Sequence, residues 1–92
     1  MTGILDTDRM GINPDGDAAI VDFFANGKTV ACEIPLLLIA GHSEIEITPN
    51  NYWLFINFVR ANRQMYETAV RRHLFGSPSV RNPLRLRNSD FR

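Results

Sequence analysis

The stretch Ala18-Ala-Ile-Val-Asp-Phe-Phe-Ala25, Asn26-Gly27, Lys28-Thr-Val-Ala-Cys-Glu-Ile34 decides how this chain folds. Asn-Gly between two β-prone runs is a strong hairpin signal, because both central residues of a type I′ turn take positive φ. A two-residue loop leaves one register. Ala25 faces Lys28, Phe23 faces Val30, Val21 faces Cys32 and Ala19 faces Ile34. These pairs share one nearly apolar face. The other face pairs Phe24 with Thr29, Asp22 with Ala31 and Ile20 with Glu33. Turn chemistry and side-chain alternation thus point to the same pairing.

C-terminal to the hairpin, Pro35-Leu-Leu-Leu-Ile-Ala40 reads as a short apolar helical turn stopped by Gly41. Glu44-Ile-Glu-Ile47 alternates and is expected to be extended. Thr48-Pro49 has the form of an N-cap followed by proline at the first helical position. A long helix is expected from about Pro49 to Phe75, with Gly76 beyond its end. Phe55, Phe58, Val59, Met65, Tyr66 and Ala69 form its apolar stripe, and Trp53, Arg60, Gln64, Glu67 and Arg71 lie opposite. Asn62 falls at the middle of the stripe. Its amide is expected to be a buried polar pin tying the helix to loop or strand backbone, since an unpaired buried amide costs about 1–3 kcal/mol. A second reading has Asn62 and Arg63 lining a cleft.

Ser77 to Pro83 reads as a loop. Leu84-Arg-Leu-Arg87 alternates and reads as a third strand, with both leucines inward and both arginines outward. Asn13-Pro-Asp-Gly16 is a turn within an Asp- and Gly-rich segment. Residues 1–17 are expected to be a flexible N-terminal arm, and 18–92 a single domain. The fold class expected is α+β: a two-layer β–β–α–α–β arrangement, a three-stranded antiparallel sheet with one long and one short helix on one face.

In its 92 residues the chain is 45% hydrophobic and 22% charged, a globular composition. One cysteine rules out an internal disulfide and suits a reducing compartment, so a cytoplasmic setting is expected. No signal peptide is expected from Met1–Asp6, and no apolar run is long enough for a membrane span. Net charge is zero, yet residues 1–59 hold two basic against eight acidic residues, net −6, and residues 60–92 hold eight arginines against two acids, net +6. Such a division signals either an anionic partner or mutual neutralisation within the fold or across a dimer.

Order and spacing of several short motifs resemble a small bacterial family of unknown function, number fourteen eighty-eight. They are Val21-Asp-Phe23, Gly27 with Val30-Ala-Cys-Glu-Ile34, Phe58…Asn62-Arg63…Ala69-Val-Arg-Arg72, Gly76, and Leu84-Arg-Leu86…Asp90-Phe91. The likeness covers roughly residues 18–91. It implies the same β–β–α–α–β order and no established activity, cofactor or catalytic residue. The segment Pro35–Gly41 departs from the family, whose members place a longer, acid-containing helix there.

Chemistry-bearing residues are few. Cys32 is expected as a small buried hydrophobe, His42 in solvent, and His73 as a half-buried residue at a helix C-terminus. Asn13, Asp15, Asp17 and Asp22 only echo a calcium loop, and a plain turn is expected. No catalytic residue, metal or cofactor is expected. The expected function is a non-enzymatic protein-interaction or regulatory module that binds a protein partner or a second copy. Its candidate surface is Ile20, Phe24, Trp53, Arg63, Arg85 and Arg87. The alternative is nucleic-acid binding by the arginine-rich half, through Arg60, Arg63, Arg71, Arg81, Arg85 and Arg87, with Phe24 stacking a base.

Overall fold

A computed structural model describes residues 3–76 and 83–91. The hairpin forms the centre of the sheet. Strands β3 (Ala18–Ala25) and β4 (Lys28–Pro35) pair in the register that the two-residue loop dictates, from Ala25 opposite Lys28 to Ala19 opposite Ile34. Asn26 and Gly27 have φ of 53° and 75°, as a type I′ turn requires.

Two further strands come from the segment expected as an arm. β1 (Ile4–Leu5) lies antiparallel to Phe23–Phe24, and β2 (Gly11–Ile12) lies antiparallel to Ala19–Ile20. A 3-10 turn at Thr7–Arg9 bridges them, and Leu5 is buried in the core. Ile4–Leu5 and Gly11–Ile12 therefore belong to the sheet and tie this segment to it. The edge of β3 needs partners for its outward amides and carbonyls, and this segment supplies them: Asp6 N–H donates to Asp22 O at 2.9 Å and Asn13 N–H to Ala18 O at 2.9 Å. The Asn13–Gly16 turn closes as its sequence implies, with Asn13 Oδ1 accepting from the amides of Asp17 and Ala18.

The C-terminal strand also differs from expectation. β5 (Leu84–Arg85) pairs with β4 in parallel, Cys32 opposite Leu84 and Glu33 opposite Arg85. The chain between β4 and β5 passes through helices, which is the connection that parallel neighbours need. Among the described residues the sheet is thus five-stranded and mixed, not three-stranded and antiparallel. Leu84 and Leu86 do point inward, each 1% exposed.

Three α-helices are present among the described residues: α1 (Leu36–Ser43), α2 (Tyr52–Ala61) and α3 (Arg63–Gly76). Helix α1 runs through Gly41 and ends at Glu44, which takes the left-handed conformation (φ 63°) and donates its N–H to Ala40 O at 2.8 Å. The expected long helix is two helices. A 3-10 turn at Pro49–Asn51 leads into α2, and Asn62 (φ −114°, ψ 33°) separates α2 from α3. Asn62 N–H reaches the carbonyls of Phe58 and Val59, its Nδ2 donates to Phe58 O at 2.9 Å, and its own carbonyl accepts Met65 N–H at 3.0 Å. The half-buried amide therefore pins its own helix, not a loop or strand. A short amide side chain that bonds local backbone competes with the helical ladder and ends it.

The break resets the helical phase. Tyr66, Glu67, Ala69 and Val70 are buried, whereas Met65, expected at the stripe, is exposed. Phe55, Val59, Tyr66 and Val70 pack with Val21, Phe23, Cys32 and Ile34 in one core between helices and sheet. Most of the loop expected at 77–83, with Arg81, lies outside the described residues.

Candidate interaction surface

Alternation on β3 sends Ala19, Val21 and Phe23 into the core and Ile20, Asp22 and Phe24 to the outer face. The helices pack against the inner residues, so the outer face of the sheet carries no helix among the described residues. Ile4 on β1 sits beside Phe24, and Thr29 on β4 flanks it on the other side. Ile4 is 59% exposed, Phe24 44% and Ile20 37%. A shallow hollow of about 390 Å³ opens next to them at the hairpin tip, lined by Ile4, Phe24, Lys28 and Thr29 among others.

Of the surface expected from sequence, Ile20, Phe24 and Arg85 share this face. The remaining members are elsewhere. Trp53 projects from α2, in the helical layer, and is largely exposed. Arg63 lies in the first turn of α3, its Nε 3.6 Å from Glu67 Oε2. Arg87 sits 3.5 Å from Asp90 near the C-terminal turn. Ile4 is the residue sequence reasoning missed. Its only signal was a two-residue apolar pair, Ile4-Leu5, too short to show a period. Asn62 and Arg63 do line an open hollow of about 440 Å³ at the helix break, together with Arg60, Gln64 and Met65.

Three arginines of the basic half reach across to the acidic half. Arg60 donates to Thr7 O through Nε (3.3 Å) and Nη2 (2.9 Å). Arg71 donates to Gly3 O at 3.1 Å. Arg85 stands 3.6 Å from Asp17 and 3.5 Å from Glu33. Arginines of the C-terminal half thus reach carbonyls and carboxylates of the N-terminal half, using the forked donor geometry that lysine lacks.

Cys32, His42, Tyr66, His73 and Asp90 lie in or beside the core. Cys32 is fully buried, and burial, followed by the nearby Asp22 charge, pushes its thiol up to about 12. Its Sγ faces Val30 O at 3.7 Å. His42 is not in solvent. It packs edge-on against Phe91 with centroids 4.7 Å apart, and its Nδ1 lies 3.2 Å from Tyr66 Oη. Burial raises the Tyr66 phenol well above its ordinary value. His73 Nδ1 is 2.9 Å from Asp90 Oδ2, which also accepts Arg87 N–H at 2.8 Å. Burial alone would raise the Asp90 carboxyl. The bonds from His73 and Arg87, and the charges of both, outweigh it and hold that carboxyl below its ordinary value. These contacts fasten the 3-10 turn Asn88–Phe91 to α1 and α3. Among the described residues no group of three or more His, Cys, Asp or Glu is placed to hold a metal ion, and no helix is long and apolar enough to cross a membrane.

No protein-family model matches this chain, and neither a curated protein nor a solved structure matches it.

Proposed function

We propose that the protein is a non-enzymatic protein-interaction module whose docking surface is the open outer face of the sheet. The observation that carries this reading is the cluster of Ile4, Phe24 and Ile20 on a face that no helix of the described residues covers. A contiguous apolar group of this kind on one sheet face marks an interaction site, because leaving it in water forgoes about 25 cal/mol per Å². Binding to nucleic acid is supported less well. Of the arginines that reading would use, Arg60 and Arg71 already donate to backbone carbonyls and Arg85 is paired with Asp17 and Glu33, so their donors are engaged within the fold. The same reading keeps the chain with family number fourteen eighty-eight, on the motifs that carry that resemblance.

The test is photo-crosslinking from position 29 in a lysate of the source cells, comparing the wild-type chain with Phe24→Glu. Adducts that disappear with Phe24→Glu, while circular dichroism is unchanged, support docking at this face. An identical adduct pattern in both proteins sinks it. Sedimentation of the purified chain reads self-association separately.

A further inference from the structure

The outer face sets among its apolar residues an acid that has no ion-pair partner among the described residues. Along β3, Asp22 stands between Ile20 and Phe24, exposed and pointing the same way. Among the described residues no cation lies within ion-pairing distance of its carboxylate, whereas the arginine of this face, Arg85, is already shared by Asp17 and Glu33. Lys28 belongs to the opposite row, at the register position of Ala25. Among the described residues the face thus carries Asp17, Asp22 and Glu33 with Arg85 set between the first and the last, and at its β1 edge Asp6, whose N–H bonds Asp22 O, is followed by Arg9 at 3.9 Å.

The geometry points to a cationic amphipathic helix of another protein as the occupant of this face, with a Lys or Arg of its apolar stripe set on Asp22. This rests on the docking reading above and names the partner's chemistry. Alternate residues of a strand stand roughly 6.6–6.8 Å apart. Residues four apart on a helix rise about 6 Å. A helix running along β3 thus presents an apolar, a basic and an apolar side chain in step with Ile20, Asp22 and the Phe24–Ile4 pair. Such a helix covers the open side of the sheet as α2 and α3 cover the inner side. A second copy fits poorly. Stacking two identical faces about a central twofold axis brings Asp22 against Asp22 in an apolar seam, and like charges there disfavour the pairing. The net negative face also repels a phosphate backbone.

The experiment titrates the full ¹⁵N-labelled chain with synthetic amphipathic helical peptides that differ only at the centre of the apolar stripe, which is Lys, Ala or Glu. The Lys peptide is expected to shift the amides of Ile4, Ile20, Asp22 and Phe24, and to bind at least about tenfold more tightly than the Glu peptide. Asp22→Asn should erase that preference, and Asp22→Lys should reverse it. Equal binding of the three peptides, an unchanged ranking in Asp22→Lys, shifts confined to the helical layer, or no binding at all overturns the inference. A wild-type dimer that Phe24→Glu dissociates also overturns it, in favour of a second copy. Loss of the charge preference with Phe24-dependent crosslinking intact rejects the cationic helix alone. Loss of both rejects the docking face as well.

Discussion

Glu67 Oε2 accepts the amide hydrogen of Leu5 at 2.8 Å, joining the third helix to a strand 62 residues earlier in the chain. One turn on, Arg71 donates to Gly3 O at 3.1 Å. These two side chains offer β1 the acceptor and the donor that a parallel neighbouring strand would offer around Ile4. They close a sheet edge that would otherwise stand open to other chains. Glu67 is buried, with Arg63 3.6 Å from the same oxygen.

Removing that acceptor leaves the buried Leu5 amide unpaired. Glu67→Ala is expected to destabilise the protein by about 1–3 kcal/mol in urea unfolding. Glu67→Gln keeps a carbonyl acceptor and should recover most of the loss. An alanine variant as stable as the parent would show that the strand is held by Leu5 packing alone.

Asn62 gives a prediction whose sign is informative. Alanine is the better helix former by about 0.5–0.7 kcal/mol, so an incidental amide would be improved by replacement. Here the break sets the phase that buries Tyr66 and Glu67, and the side chain holds Phe58 O at 2.9 Å. Asn62→Ala is therefore expected to destabilise, by about 1 kcal/mol. Stabilisation in thermal or urea melts would mean that the break has no structural role.

Asp90 makes stability depend on pH at the acid end. Its folded-state carboxyl is held below the ordinary value, so its contribution is complete above the unfolded-state pKa, about 3.9 for an aspartate. That contribution is lost as pH falls through the folded value. Acid titration followed by circular dichroism should show wild type and Asp90→Asn converging in stability as pH drops below about 4, with the wild type more stable above it. A constant gap between the two curves down to the lowest pH would contradict this.

Cys32 should be chemically silent in the folded protein. Its thiol is fully buried and pushed up to about 12, so almost no thiolate exists near neutral pH. A disulfide reagent at pH 8 should react only at the rate of opening, and fast in denaturant. Stoichiometric labelling within seconds under native conditions would mean that the core opens readily.

Much of this was legible from residues alone, and the legible parts share a property. Asn26-Gly27 specifies positive φ at both positions, and the alternation around it assigns inner and outer residues. Every element of that inference lies within a few residues. The leucines at 84 and 86 were assigned inward for the same reason. What resisted was pairing at a distance. Ile4-Leu5 and Gly11-Ile12 are too short to declare themselves as strands, and each becomes one because the edge of β3 is open beside it. Glu67 and Arg71 fell on the polar side of a helix drawn as continuous. Nothing local says that Asn62 interrupts it, because an amide in a helix can face solvent as readily as its own backbone. The direction of β5 depends on the path of the helices between it and β4.

By itself the sequence determined the hairpin, its register and the division of β3 into a core row and an outer row, because turn dihedrals and the period of a strand are local properties. It also held the charge division, which Arg85 bridges in the fold. Only the tertiary structure decided that the N-terminal segment enters the sheet, that the helix breaks at Asn62, and that Ile4 joins Phe24 and Ile20 on one open face around Asp22. Those outcomes depend on which backbone groups and side chains meet across dozens of residues, and burial and hydrogen bonding are settled only when they do.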